Sequence, residues 1–92
     1  MLKTFRCADT HKLFQRQRVA RFANIQSVAL RKLEQLHMAG VLEDLRIPPD
    51  NRLEALKGNR VGQHSIRTND QFRVCFVWGE GGAEGVEVVG YH

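Results

Sequence analysis

With 92 residues, 42% of them hydrophobic and 26% charged, the chain has the make-up of one small globular domain, residues 1–92, and not of a disordered segment. Two cysteines with no Cys-x-x-Cys and four scattered histidines argue against a metal site, so no metal or cofactor is expected. No apolar run approaches the ~20 residues of a membrane span, and the start of the chain lacks a signal-peptide core, so the expected compartment is the cytoplasm, without membrane.

The net charge of +4 points to an anionic partner, and its distribution is uneven. Up to Leu33 eight basic residues face Asp9 alone, whereas the remainder holds six basic residues and nine acidic ones. Attraction to nucleic acid is therefore expected from the first third, although a charge-rich helix face is often only a solvated one.

In chain order, residues 1–7 read as a first strand carrying Leu2 and Phe5. Asp9 or Thr10 is suited to cap a short helix through about Gln17, with Leu13 and Phe14 as its buried side. Residues 15–21 hold three arginines and few apolar anchors, so this segment is expected to be mobile. Asn24 is a good cap for the clearest helix. In it Ile25, Val28, Ala29, Leu33 and Leu36 form an apolar stripe, Arg31, Lys32, Glu34 and Gln35 take the other side, and Gly40 supplies a stop.

Residues 41–51 read as a connector with one helical turn near Leu42 and an extended, turning Pro48-Pro49-Asp50-Asn51. Leu53 and Leu56 pin the chain to the core and leave Glu54 and Lys57 pointing elsewhere. Residues 63–67 and 71–78 flank Thr68-Asn69-Asp70 as a hairpin, with Phe72, Val74, Phe76 and Trp78 on one face and Gln71, Arg73 and Cys75 on the other. Residues 79–85, with four glycines, read as a flexible loop before a last strand through Val86, Val88 and Val89. The order β-α-α-β-β-β gives an α+β domain, two N-terminal helices packed on one face of a mainly antiparallel sheet with the other face open.

An arginine facing away from an apolar strand row is usually only solubilising. Arg73 is accompanied by Lys57, Arg60 and Arg67 on or beside the same sheet, and the last two residues are Tyr91 and His92. Cations on a rigid sheet beside proton-moving groups suit phosphodiester cleavage. Leu56-Lys57-Gly58, the strand from Gly62 to Arg67, Phe72-Arg73-Val74-Cys75-Phe76 and the terminal Tyr91-His92 resemble a HigB-type toxin of the RelE/ParE superfamily, and the resemblance covers nearly the whole chain.

That resemblance implies a small RelE-like domain acting as a ribosome-dependent mRNA endonuclease, inhibited by a helix-turn-helix antitoxin of HigA type. Its substrate would be mRNA in the ribosomal A site, cut without metal by attack of a ribose 2′-OH on the adjacent 3′ phosphate. By motif, Arg73 grips the phosphate, Lys57 is the second cation, Arg60 and Arg67 are RNA contacts, Tyr91 stacks on a base or hydrogen-bonds near the phosphate, and His92 exchanges protons.

The chain departs from the pattern in two places. Many relatives end in Asp-Tyr-His, where this chain has Gly90 before Tyr91, and several carry histidine where it has Glu54. Glu54 is therefore the candidate base, with His92 as the acid. In a regular strand Tyr91 and His92 would point to opposite faces, so both serve one site only if Gly90 lets the chain bend. His64, on the opposite strand face from Arg67, reads as structural. Two other readings share the fold: a ParE-like gyrase inhibitor that cuts nothing, and a catalytically weakened ribosome- or RNA-binding toxin.

Overall fold

The computed structural model describes residues 1–90. Two α-helices, α1 (Ala8–Phe14) and α2 (Gln26–Met38), pack on one face of a four-stranded antiparallel sheet. Its strands, β1 (Glu54–Ala55), β2 (His64–Arg67), β3 (Phe72–Gly79) and β4 (Gly82–Gly90), lie side by side in that order. Leu33, Leu36 and Ala29 of α2, Leu13 of α1 and Ile66, Val74, Phe76, Val86 and Val88 of the sheet form the core between the layers. The α+β reading is correct, and so is the hairpin around residues 68–70.

The expected first strand is looser than a strand. Residues 1–6 run beside β4 and touch it at two parallel bridges, Leu2 with Ala83 and Phe5 with Val86. Backbone bonds from Lys3 and Arg6 to the carbonyls of Ala83 and Val86 hold them there, and the buried Thr10 hydroxyl accepts the next free amide, that of Val88, at 3.0 Å. An otherwise open edge of β4 is thus satisfied by the chain's own beginning, which removes a surface for edge-to-edge pairing.

The glycine-rich stretch corrects another expectation. Only Glu80-Gly81 turns; β4 already starts at Gly82, whose φ of 137° and close approach to the Met1 carbonyl leave no room for a side chain. The pairing of β3 with β4 slips between Cys75 and Val77, and Gly85, at φ 59°, absorbs the extra residue as a β-bulge. The bulge puts Ala83, Val86 and Val88 all on the helix side, a spacing that strict alternation does not show.

Helix α2 departs in two ways. A 3-10 turn, Ala20–Ile25, precedes it, so the cap position falls at Ile25 and Asn24 is not the cap. Likewise Cys7, not Asp9 or Thr10, stands before α1. Lys32, expected on the solvent side, is buried, and its Nζ donates to Asn51 Oδ1 at 2.6 Å. Asn51, fully buried, in turn donates to Gln35 Oε1 and the Leu45 carbonyl, both at 3.1 Å, and so ties the connector to the helix.

Within residues 15–21 several backbone groups make defined bonds. Arg16 adopts a left-handed conformation (φ 66°), and the amides of Arg16 and Gln17 reach back to the Leu13 and Lys12 carbonyls, a Schellman end for α1 with arginine where glycine is usual. The Gln26 side chain then bridges the Gln17 carbonyl and the Val19 amide. Leu42–Arg46 forms the expected single turn.

Candidate functional site

The open face of the sheet carries the candidate residues in rows. Directly paired residues of an antiparallel sheet point to the same side. Glu54, Ser65, Cys75 and Glu87 are successive partners across all four strands, and Arg67, Arg73 and Val89 form the next row. Ser65 and Cys75, in the row between Glu54 and Glu87, are small and buried.

Arg67 and Arg73 oppose each other directly, a like-charge pairing that costs stability unless each cation has its own anion. Arg67 is bound by Asp70 from the hairpin turn, and Arg73 Nη1 lies 3.9 Å from Glu54 Oε1. At 3.9 Å the second pair is attracted but not directly hydrogen-bonded. The Glu54 side chain is 56% exposed and that of Arg73 22%, which leaves the carboxylate accessible above a partly sunken cation.

At the other end of the Glu54 row, Arg60 Nη1 meets Glu87 Oε1 at 2.8 Å and Gln63 Oε1 at 3.1 Å. The Glu87 bond pushes the Arg60 pKa up, against a smaller opposing effect of burial. Between the two ends, burial pushes the Cys75 thiol up despite the nearby Arg73 and Arg60, with Glu87 adding to the rise. Cys75 is a packed thiol rather than a nucleophile.

Glu54, Arg73 and Arg67 are therefore brought together. Arg60 stands on the same face but farther along it, fixed by Glu87. Lys57 is exposed at the start of the Gly58–Arg60 turn, and among the described residues its side chain joins no ion pair. Tyr91 and His92 lie outside the described residues, although β4 is paired up to Gly90, one step beyond the Arg73 and Val89 row. His64 faces the helix side and stacks on Phe76 at 6.2 Å, as a structural histidine would.

Glu87, Gln63 and Asp70, the groups that hold Arg60 and Arg67, were not legible as site residues. The alternation of Glu87 between Val86 and Val88 and the three-residue spacing of Arg67 and Asp70 were the available signals. Two clefts open on this face, one of about 330 Å3 lined by Arg52, Glu54, Arg67 and Asp70 and one of about 350 Å3 lined by Arg6, Asn59, Arg60, Gln63 and Glu87. Among the described residues no group of three or more His, Cys, Asp or Glu side chains could hold a metal ion, and no helix is long and apolar enough to cross a membrane.

The sequence matches, over residues 2–92, the family described as the RelE-like toxin of type II toxin-antitoxin system HigB. The chain belongs to that family. This HigB-family toxin is 49% identical over 59 residues to Toxin HigB-1 of Vibrio cholerae, a match covering 64% of this chain and 62% of the relative. It is 37% identical over 54 residues to an uncharacterized protein of Haemophilus influenzae, covering 59% and 54%. The chain thus spans less than two thirds of the length of these relatives. Among solved structures a YoeB/ParE toxin from Agrobacterium tumefaciens aligns over 99% of this chain and 96% of its own, at 22% identity and a TM-score of 0.48.

Proposed function

We propose that this HigB-family toxin is a ribosome-dependent mRNA endonuclease. The observation that carries the reading is the apposition of Glu54 and Arg73, 3.9 Å apart on the open sheet face, in a chain of this family. Glu54 accepts the proton of a ribose 2′-OH, whose oxygen attacks the adjacent phosphorus. The P–O5′ bond breaks, giving a 2′,3′-cyclic phosphate and a 5′-OH that takes its proton from His92. The Arg73 guanidinium holds two non-bridging oxygens as negative charge builds on them, and these groups do the work without a metal.

Lys57 adds a second cation from the neighbouring turn, Tyr91 stacks on a base beside the phosphate, and Arg60 and Arg67 contact the RNA backbone. The ribosome supplies the extended A-site conformation that this sparse acid–base set does not impose alone. Control falls to a HigA-like helix-turn-helix antitoxin, and the setting is the cytoplasm.

The test is cleavage of mRNA on programmed ribosomes by purified toxin. Arg73→Ala is expected to lower the single-turnover rate by about 10²–10³-fold while the fold, followed by circular dichroism, is kept; an unchanged rate removes Arg73 from the mechanism. Glu54→Gln is expected to lose more than about tenfold, and a smaller loss makes it a bystander. Equal cutting of naked mRNA would overturn the ribosome requirement.

A further inference from the structure

Arg52 sits in a left-handed conformation (φ 46°, ψ 53°) that a side chain bearing Cβ adopts only when its surroundings impose it. Its neighbour Asn51 supplies that constraint. Fully buried, Asn51 is gripped by Lys32, Gln35 and the Leu45 carbonyl, and its amide donates to the Pro48 carbonyl at 3.0 Å, while the Arg52 amide donates to Pro49 at 3.1 Å. The chain leaves this knot straight into β1, which presents Glu54 two residues later. The exposed Arg52 lines the cleft of about 330 Å3 whose other walls are Glu54, Arg67 and Asp70.

The two acids of that cleft differ. Glu54 faces Arg73, but Asp70 stands on the hairpin turn with its side chain 91% exposed and does no more than cover Arg67, whose side chain is 25% exposed. An ion pair whose carboxylate is this exposed contributes little. A phosphodiester offers the same two-oxygen edge to the Arg67 fork, and a second cation, Arg52, stands across the cleft to share its charge.

We propose that this cleft binds the RNA phosphodiester next to the scissile one, with Arg52 and Arg67 as its ligands and Asp70 as an internal mimic that holds Arg67 until RNA displaces it. The inference rests on the nuclease reading. It assigns substrate binding to Arg52, and it makes Asp70 a competitor whose removal strengthens binding.

The experiment measures KM and kcat on mRNA-programmed ribosomes for wild type, Arg52→Gly, Arg52→Lys and Asp70→Asn. Glycine tolerates the left-handed backbone, so Arg52→Gly removes the guanidinium without straining the turn. It is expected to raise KM about tenfold, the loss of one charge-assisted bond, with kcat within about twofold. Arg52→Lys, which keeps the charge and loses the fork, is expected to fall between the two.

Asp70→Asn is expected to lower KM several-fold, an improvement that a merely structural aspartate would not give. Wild-type cleavage with KM unmoved in Arg52→Gly, or raised in Asp70→Asn, overturns the inference and leaves the nuclease reading standing. Wild-type toxin that neither binds nor cuts the programmed ribosome overturns both.

Discussion

The two faces of the sheet are made by the same strands and obey opposite rules. On the helix side Ile66, Val74, Phe76, Val86 and Val88 are almost wholly buried and interlock with α2, so their contribution is area removed from water. On the open side the small Ser65 and Cys75 are buried, and Arg67, Arg73, Glu54 and Glu87 are arranged in opposed or paired charges. One face is built to stay closed. The other keeps its charged ends near the surface, paired with one another across the strands.

The contrast is broken most severely by truncating the closed face. Phe76→Ala is expected to cost about 3–5 kcal/mol of stability, read by urea denaturation, because Phe76 is fully buried and touches both His64 and Trp78. Arg73→Ala, three residues earlier on the same strand but on the open face, should leave the denaturation midpoint nearly in place while lowering the cleavage rate as above. A comparable stability loss for both would erase the distinction.

Lys32 tests the exception, a cation on the closed side. Lys32→Met leaves the buried Asn51 Oδ1 without its donor and is expected to cost about 1–3 kcal/mol near neutral pH. Burial, first among the causes, lowers the Lys32 pKa from its ordinary 10.5, and Arg31 and Arg67 add to this while Asp50 opposes it. Between the folded-state value and 10.5 the unfolded chain binds more protons, so this residue's burial cost is relieved as pH rises through that window. The wild-type minus Lys32→Met stability difference should therefore grow with pH in the alkaline range below 10.5; a flat difference would show that Lys32 is not held charged in a buried place.

The smallest effect concerns the thiols. Burial raises Cys75 above its ordinary 9.0, so the unfolded chain loses this proton first and the contribution of Cys75 to stability falls as pH rises above 9.0. At Cys7 burial acts upward too, but the backbone and hydroxyl of Thr10, the Asp9 amide and Arg21 outweigh it and bring the pKa below 9.0. Iodoacetamide should label Cys7 in the folded protein, with a rate midpoint below pH 9, and spare Cys75 until the chain is denatured. Prompt labelling of Cys75 would mean that the cations above it do not close the open face.

Periodicity made much of this visible in the residues themselves. The stripe of α2, the hairpin and the placement of Arg73 opposite the apolar row all follow from local spacing that any neighbour must respect. The resemblance to a toxin family was likewise readable from the short runs around Lys57, Arg73 and the last two residues, and the comparisons place the chain in that family.

What alternation could not show was decided by contacts distant in the chain. Gly85 shifts the register of β4 and turns an apparent loop into strand, because one extra residue reverses the side-chain pattern beyond it. Lys32 is buried because Asn51, 19 residues on, offers it an acceptor, and Gln17 and Val19 are tied to the start of α2 because Gln26 reaches back to them. That Arg73 meets Glu54 and Arg60 meets Glu87 was likewise set by how the strands pair, whereas Arg67 finds Asp70 within its own hairpin turn. Sequence determined which side chains could face each way; only the packed sheet determined which of them meet, because pairing energy depends on distances that the chain acquires once it is folded.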